Sequence, residues 1–374
     1  MEQNSVLPMK IAIDAHSLGT QAGGNETYYR QLIRGLAHDK SQNSYTLFHT
    51  HSIRLPEAER DPRFTLCKIP KNPLLRLTAA LPWALQQIRP DIFHCQYIQP
   101  LWSPGKTVVT IHDLAHEHHP EFFRPVEVLR MKKLVPWTAR RAKHILTVSE
   151  FSAADIAQRF DVPREKITVA YQAASPDFHP RDKQTCQEHL ARAYGIRAPF
   201  ILYVGRIQAR KNLARLVQAY ARVRKQGSTA TLVIVGKKDW QSELVLKTIQ
   251  ELGLESSVLF PGFVPFEDLP LFYNSAEVFV FPSVFEGFGL PVIESMASGV
   301  ATITSRGSSL QEVAGDGALL IDPSDTDSMA AALEKVLSDR ELRESLAAAG
   351  IRRARQFSQD DLANKTLAVY NALV

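Results

Sequence analysis

The chain has 374 residues, of which 45% are hydrophobic and 22% charged, and its formal net charge is +5. This composition is typical of a soluble globular protein, and two or more domains are expected at this length. No apolar run approaches the ~20 residues that a bilayer span requires, so no membrane-spanning helix is expected.

The N-terminus and the cysteines favour a cytoplasmic protein. Residues 1–10 are polar and lack the apolar segment of a signal peptide. Cys67, Cys95 and Cys186 are odd in number and far apart in sequence. This pattern favours reduced thiols over a disulfide framework or a zinc site.

Apolar, strand-like runs alternate with helical patterns along the whole chain. The predicted strands are residues 9–14, 45–48, 91–94, 107–111 and 145–148 in the first half, and 200–204, 231–235, 258–260, 278–281, 301–304 and 319–321 in the second. Strands separated by helices form parallel sheets. The sequence therefore predicts an α/β protein with two doubly wound, Rossmann-like domains.

Three prolines, Pro176, Pro180 and Pro199, mark the boundary between the two halves. The predicted N-terminal domain spans residues 1–178 and the C-terminal domain spans residues 195–357. A short polar helix is expected between them. The cleft between two such domains is the expected binding site.

A Gly-rich loop, residues 20–25, connects the first predicted strand to the first helix. Its pattern is not Gly-x-Gly-x-x-Gly, so it does not support a nicotinamide cofactor. Residues 112–119 contain four histidines. They lack the His-Glu-x-x-His order of helical zinc sites, and Pro120 interrupts the segment, so we predict no metal site there.

The excess of basic residues lies in residues 1–180, and its densest cluster is helical in pattern. The cluster consists of Arg130, Lys132, Lys133, Arg140, Arg141 and Lys143. Such a cluster can attract anionic lipid or a phosphorylated acceptor, or it can be a solvated helix face. Nucleic acid is not expected as a partner, because aromatic residues are not interleaved with the basic ones.

Arg206 and Lys211 follow the predicted strand 200–204, in a turn that enters a helix. Ligands of open α/β sheets bind at the carboxyl ends of the strands, so both cations are expected at a ligand site. A pair of cations there can neutralise the charge of a departing diphosphate. Ordinary surface charge is the alternative interpretation.

Glu286 and Glu294 flank a Gly-rich turn that runs into Pro291 and a helical pattern closed by Gly299. Proline suits the first turn of a helix, and glycine suits its end. Such a turn presents backbone N–H groups to anions such as phosphate. Glu294 is expected in the first helical turn, where interaction with the helix dipole is the alternative role.

Asp325 and Asp327 form an Asp-x-Asp pattern that is also found in metal sites. Here Pro323 precedes the pattern and a helical pattern follows it. This context favours a helix N-cap over a metal site.

Residues 280–299, VFPSVFEGFGLPVIESMASG, resemble the donor-site signature of the family 4 glycosyltransferases. The resemblance continues at residues 205–206, 211–212, 310–313 and 322–325, and it extends over nearly the whole chain. These are retaining enzymes of the GT-B fold that use nucleotide-diphosphate sugars. The resemblance implies two domains facing each other across a cleft, with a C-terminal helix, residues 358–374, packing back on the first domain.

The resemblance also implies roles for particular residues. Arg206, Lys211 and the amides of residues 287–290 would hold the diphosphate, and Glu294 would bind the ribose. Glu286 would bind hydroxyls of the sugar, with a covalent nucleophile as the less favoured role. The catalytic candidates are Glu286, Arg206, Lys211 and His112, and the donor-binding candidates are Glu294, Gly287, Phe288, Gly289, Leu290, Gly24 and Val264.

Residues 112–113 and 119–123 resemble bacterial mannosyltransferases, which favours GDP-mannose as the donor and UDP-glucose as the second choice. No cofactor or metal is expected. The acceptor would be a glycan, a lipid-linked precursor or a small molecule, reached in the cytoplasm or at the inner face of the membrane. The alternative function is that of a non-catalytic subunit that binds a sugar nucleotide in a membrane-associated assembly, and a dehydrogenase is a third possibility.

Overall fold

The computed structural model describes residues 8–20, 23–237, 242–262 and 264–374. The chain divides into two compact units. The first unit is Met1–Gln172 with Ser358–Val374, and the second is Ala173–Phe357. In these described ranges no helix combines the length and apolarity needed to cross a bilayer.

The first unit is built on a parallel sheet with the strand order β3-β2-β1-β4-β5-β6-β7. Its strands are β1 (Lys10–Asp14), β2 (Ser44–His49), β3 (Phe64–Lys68), β4 (Ile92–Gln96), β5 (Lys106–Thr110), β6 (His144–Thr147) and β7 (Ile167–Val169). The central strands β1, β4 and β5 are buried along almost their whole length, as expected for a parallel sheet with helices on both faces. Strands β2 and β3 are added on one side of β1, and the strands from β4 to β7 are added on its other side. The topological switch point of this unit therefore lies between β1 and β4.

The helices of the first unit follow its strands. They are α1 (Gly24–His38), α2 (Pro56–Arg60), α3 (Pro73–Leu75), α4 (Leu81–Ile88), α5 (Ala115–His118), α6 (Pro125–Arg141) and α7 (Glu150–Phe160). A π-helical turn, Arg76–Ala80, joins α3 to α4. Ser149 caps α7 by accepting a hydrogen bond from the backbone N–H of Ser152.

The second unit has a parallel sheet with the order β10-β9-β8-β11-β12-β13. Its strands are β8 (Phe200–Val204), β9 (Thr231–Val235), β10 (Val258–Leu259), β11 (Val278–Phe281), β12 (Thr302–Ser305) and β13 (Leu319–Ile321), and its helices are α8 (Lys183–Tyr194), α9 (Leu213–Lys225), α10 (Glu243–Glu251), α11 (Leu269–Ser275), α12 (Leu290–Ala297), α13 (Ser308–Ala314), α14 (Thr326–Ser338) and α15 (Arg340–Ala354). The switch point of this sheet lies between β8 and β11.

The C-terminal helix, α16 (Gln359–Leu373), belongs to the first unit, where it packs on α1. Tyr370 on this helix is fully buried, and its hydroxyl lies 2.6 Å from His94 Nδ1 in β4. His94 Nε2 lies 2.7 Å from the hydroxyl of Thr110 in β5. This buried network gives polar partners to groups that would otherwise be costly to bury.

The prediction of two doubly wound parallel sheets is confirmed, and two strands of the first sheet were not among those predicted. β3 is an edge strand whose side chains are mostly exposed, so it lacks an apolar signal. β7 has three residues, which is too short for a pattern to show. The segment expected between the domains contains α8, which packs on α11 within the second unit.

Candidate functional site

The candidate site of the second unit lies where β8 and β11 end. β8 leads into a loop with Arg206 and Lys211, and β11 leads into the Gly-rich turn with Glu286. The two strands are hydrogen-bonded neighbours at the switch point of the sheet. Ligands of open α/β sheets bind in the crevice outside this point.

Glu286 is the centre of a buried ionic cluster. Lys211 Nζ donates to Glu286 Oε1 at 2.5 Å, and Arg210 lies 3.0 Å from Glu286 Oε2. The hydroxyl of Ser283 donates to the same Oε1 at 2.5 Å. Burial alone would raise the pKa of Glu286, but Arg210 and Lys211 outweigh burial and hold the pKa below its ordinary value. The carboxylate is therefore ionised and accepts hydrogen bonds only.

Arg210 was missed by the sequence analysis, although it stands between the two predicted cations. It ties the loop after β8 to the turn after β11, because its guanidinium donates to the carbonyl of Phe285 at 2.6 Å. Its own carbonyl accepts from the backbone N–H of Val284 at 2.9 Å. The available signal was the presence of a third basic residue in the same loop.

Arg206 is half-buried directly after the end of β8. The hydroxyl of Tyr203 donates to the Arg206 carbonyl at 3.1 Å, which fixes the backbone where the loop begins. Lys211 is also half-buried, and its ammonium lies 4.9 Å from the ring centroid of Phe281. The cations thus lie along the loop that leaves the carboxyl end of β8.

The Gly-rich turn is held by contacts to the next helix. Ser309 in α13 donates to the carbonyls of Glu286 and Phe288 at 2.8 and 3.0 Å. Gly289 has φ +108, a conformation that side chains disfavour, and it precedes α12. Pro291 stands in the first turn of α12, where its missing N–H costs nothing.

Replacing Gly289 by alanine should lower the free energy of unfolding by roughly 2 kcal/mol or more. A Cβ at this position would lie 2.5 Å from Leu310 Cδ2, in addition to the cost of the positive φ. Gly253→Ala is the matched control, since Gly253 also has positive φ but no atom within 4 Å of a Cβ. Chemical denaturation measures both variants, and equal losses would contradict a role for the Leu310 contact.

Three further donor-binding candidates of this unit differ in burial and in the element they belong to: Phe288, Leu290 and Val264. The Phe288 side chain is buried against Phe357, with ring centroids 5.8 Å apart. Leu290 is half-buried and begins α12. Val264 is half-buried in the loop that follows β10.

Glu294 lies in the second turn of α12, so the expectation that it stands in the first turn is wrong. The helix begins at Leu290, one residue before the proline that was expected to open it. The side chain is buried, and the hydroxyl of Tyr273 donates to Glu294 Oε2 at 2.9 Å. Burial raises the pKa of Glu294 to about 7, although the Tyr273 hydrogen bond opposes the rise.

Gly24 and His112 lie in the first unit. Gly24 is the exposed first residue of α1, and His112 is buried just after β5. Gln96, at the end of β4, donates to the carbonyl of Asn25 at 3.3 Å and lies 2.9 Å from His112 Nε2. Gln96 therefore connects the first turn of α1 to His112, and it was not predicted as a site residue. Residues 21 and 22 of the predicted Gly-rich loop lie outside the described residues.

His112 is held in a neutral state. Burial lowers its pKa to about 4, and the nearby Asp113 only partly compensates. Its carbonyl accepts from the Ser152 hydroxyl at 2.8 Å, and its ring packs edge-on against Tyr28. A neutral imidazole in this position can donate or accept one hydrogen bond without adding charge.

The residues with metal-ligand chemistry have other partners. Asp325 is the N-cap of α14, as predicted, and accepts from the backbone N–H groups of Asp327 and Ser328. His118 lies 2.8 Å from Asp155 and His119 lies 3.1 Å from Glu121. In the described part of the chain no three His, Cys, Asp or Glu side chains are grouped as metal ligands.

Both halves of the chain match glycosyltransferase families. A model described as Glycosyltransferase Family 4 matches residues 22–178, and one described as Glycosyl transferases group 1 matches residues 188–353. The donor-site candidates Arg206, Lys211, Glu286 and Glu294 lie within the second match.

Two relatives are similar over nearly their whole length. O-antigen chain mannosyltransferase B of Escherichia coli is 31% identical, covering 98% of this chain and 100% of that protein. MMP alpha-(1->4)-mannosyltransferase of Mycolicibacterium hassiacum is 30% identical, covering 98% of each. The structure of sucrose-phosphate synthase from Thermosynechococcus elongatus has a TM-score of 0.80 at 22% identity, covering 98% of this chain and 99% of that one, and shows a shared fold.

Proposed function

Because this chain belongs to glycosyltransferase family 4 and is a glycosyltransferase of the GT-B fold, we propose that it transfers mannose from GDP-mannose with retention of anomeric configuration. The observation that carries the proposal is the ionic cluster of Glu286 with Arg210 and Lys211 beside the Gly289 turn. The cluster and the turn together supply cations, an ionised carboxylate that accepts hydrogen bonds and a helix N-terminus at one switch point. A sugar diphosphate needs these three features.

The diphosphate would bind to Arg206, Lys211 and the turn of residues 287–290. Negative charge grows on the leaving phosphate as the bond to the sugar breaks, and fixed cations and a helix N-terminus stabilise that charge. Lys211 is already held by Glu286, so it is positioned before the donor arrives. Little reorganisation would then be required at the moment of reaction.

Glu286 and Glu294 would bind different parts of the donor. The lowered pKa of Glu286 keeps it ionised, so it accepts hydrogen bonds from hydroxyls of the sugar. Glu294 would accept from the ribose hydroxyls, with Tyr273 fixing its carboxylate. The acceptor hydroxyl would pass its proton to the departing phosphate on the same face of the sugar, with positioning as the main contribution.

Mannose is supported as the transferred sugar by the two full-length relatives, which are both named mannosyltransferases. UDP-glucose is kept as the second donor. The first relative is named for an O-antigen chain, which supports a glycan or lipid-linked acceptor over a small molecule.

A donor panel tests the proposed function. The full chain is incubated with GDP-mannose, UDP-glucose, UDP-galactose and GDP-fucose, with and without a lipid extract as acceptor source, and nucleotide release is followed. We expect release from GDP-mannose to exceed release from the others, and to be unchanged by EDTA because Arg206 and Lys211 take the place of a metal. Activity lost with EDTA and restored by Mg²⁺ or Mn²⁺ would contradict metal independence.

The alternative, a non-catalytic sugar-nucleotide-binding subunit, predicts a different outcome of the same experiment. It would bind GDP-mannose in a calorimetric titration without releasing GDP under any acceptor condition. Binding without turnover would therefore overturn the proposed activity and leave the proposed donor site intact.

We further propose that α6 makes peripheral contact with anionic lipid. Val126 and Leu129 are exposed on this helix by 79% and 60%, and Arg130 and Lys133 follow them at helical spacing. An exposed apolar pair next to cations suits a lipid surface. Each such cation contributes about 1 kcal/mol near anionic lipid.

Liposome co-sedimentation measures this contact. We expect binding to vesicles with anionic lipid at low salt and release at about 1 M salt, where charges are screened within a few ångströms. The double variant Arg130→Glu with Lys133→Glu should stay in the supernatant. Lys225→Glu, an exposed charge reversal in the second unit, is the control. Retention of the double variant on vesicles would show that Arg130 and Lys133 do not bind lipid and only form a solvated face of α6.

A further inference from the structure

Gln96 is a buried polar side chain that none of the roles proposed above uses. It is the last residue of β4 and is 3% exposed. Its register partner is Thr110, the last residue of β5, and His112 follows Thr110 by two residues. A buried amide needs hydrogen-bond partners for its oxygen and its nitrogen, and those partners decide which way the amide points.

The orientation of the Gln96 amide follows from its neighbours. One end of the amide lies 3.3 Å from the carbonyl oxygen of Asn25 and 2.9 Å from His112 Nε2. A backbone carbonyl can only accept a hydrogen bond, so the amide atom that faces Asn25 is the nitrogen. The other end is therefore the amide oxygen, to which the hydroxyl of Ser17 donates at 3.4 Å. The reversed amide would bring two carbonyl oxygens together without a hydrogen between them.

This orientation fixes the position of the proton on the His112 ring. The two hydrogens of the Gln96 nitrogen point to the Asn25 carbonyl and to His112 Nε2, so Nε2 accepts. Burial lowers the pKa of His112 to about 4 against the opposing effect of Asp113, and the ring therefore carries one proton near neutral pH. His94, the other histidine that interacts with this ring, is also neutral, because burial lowers its pKa to about 3. The single proton of His112 therefore lies on Nδ1.

Other residues hold the His112 ring in place. The ring of Tyr28 packs edge-on against it at a centroid distance of 4.8 Å, and the ring of Tyr97 lies at 5.8 Å. The hydroxyl of Ser152 donates to the His112 backbone carbonyl at 2.8 Å. These three contacts position the ring without engaging a ring nitrogen. The contact of Gln96 with Nε2 therefore has a separate effect, which is to select the tautomer.

We propose that Gln96 is a positioning residue that fixes His112 as a neutral hydrogen-bond donor through Nδ1. The proposal rests on the proposed function, because it takes His112 to be a catalytic residue of sugar transfer. With Nε2 accepting from Gln96 and Nδ1 protonated, the ring has no free lone pair, so it does not take the proton of the acceptor hydroxyl. Its Nδ1–H instead donates to an oxygen of the sugar nucleotide. A donor that is oriented in advance stabilises charge on that oxygen without reorganisation.

Nitrogen NMR of the histidine rings tests the tautomer in the full chain without any ligand. The chain is labelled with ¹⁵N-histidine, and two-bond ¹⁵N–¹H correlation spectra distinguish a protonated ring nitrogen from an unprotonated one. The signals of His112 are those that disappear in the variant His112→Gln. We expect Nδ1 of His112 to be protonated and Nε2 to be unprotonated near neutral pH. A proton on Nε2 in the wild-type chain overturns the proposal.

The variant Gln96→Glu reverses the hydrogen bond to the ring. A carboxylate only accepts, so Nε2 of His112 should become protonated, and kcat/KM should fall about 10-fold or more because the oriented donor is lost. Gln87→Glu is the control, since Gln87 is an exposed glutamine on α4 of the same unit, and it should change neither quantity. An unprotonated Nε2 in Gln96→Glu, or a changed tautomer with an unchanged kcat/KM, overturns the proposal.

A second variant keeps the test independent of the folding of Gln96→Glu. Gln96→Met fills the buried space with a flexible side chain that has no N–H, and its melting temperature reports whether it folds. We expect His112 to lose its single Nδ1–H tautomer, and a folded variant that retains it overturns the proposal. The spectra require no donor, so they decide the tautomer even if GDP-mannose proves not to be a substrate. Failure of the proposed function and failure of this proposal are therefore distinguishable.

Discussion

Replacing Lys211 by methionine should lower kcat about 100- to 1000-fold. This loss corresponds to ~3 kcal/mol of activation free energy, which is typical when one group that stabilises transition-state charge is removed. Lys211 is held by its 2.5 Å contact to Glu286, and in the proposed mechanism its charge matters most when the diphosphate departs. Methionine keeps the length and apolar stem of the side chain. Steady-state kinetics with GDP-mannose, together with the melting temperature, measures the effect.

The control for Lys211 is Lys225→Met, at the far end of α9 from the loop. This exposed lysine lies at the amino-edge side of the sheet, and its loss should leave kcat within about twofold, as for an ordinary surface substitution. A raised KM with unchanged kcat in Lys211→Met would show that Lys211 serves only ground-state binding. That outcome would remove it from the catalytic candidates.

Replacing Glu294 by glutamine should lower kcat/KM roughly 10- to 100-fold, the ~1.5–3 kcal/mol of a charge-assisted hydrogen bond. The amide keeps the shape of the buried side chain and can still accept from Tyr273, so the helix should stay in place. Nucleotide affinity by calorimetry and kcat/KM by GDP release are the measurements. Unchanged values in a folded variant would contradict ribose binding by Glu294.

The pH dependence gives an independent test of Glu294. Its pKa of about 7 in the folded chain exceeds the ordinary value of 4.5. The raised pKa of Glu294 therefore adds to the free energy of unfolding in full below pH 4.5, and this addition is lost as the pH rises to about 7. The stability of the wild-type chain relative to Glu294→Gln should fall over this window and stay level above it.

Donor binding should show the opposite trend. Ribose hydroxyls donate to an ionised carboxylate, so nucleotide affinity of the wild-type chain should rise as the pH increases through about 7. Tyr273→Phe removes the hydrogen bond that lowers this pKa, so the rise should move to higher pH. Identical profiles for the wild-type chain and Glu294→Gln would show that another group controls binding.

The architecture could be predicted from local patterns because they repeat along the chain. Buried parallel strands are rich in consecutive apolar residues, and β8 and β9 are of this kind. Two strands were not predicted. β3 is an exposed edge strand, and β7 has only three residues. Their position is set by pairing with a neighbour, which leaves little trace in their own composition.

The sequence by itself determined the α/β class, the Gly-rich turn before α12 and the loop that carries Arg206 and Lys211, because each depends on residues close together in the chain. Only the tertiary structure decided which side chains meet: Arg210 with Glu286, Tyr273 with Glu294, and Arg76 with Asp14. These partners are far apart in sequence. The packing of elements that are distant in the chain brings them together. Neighbouring cations then lower the pKa of Glu286, whereas burial raises the pKa of Glu294.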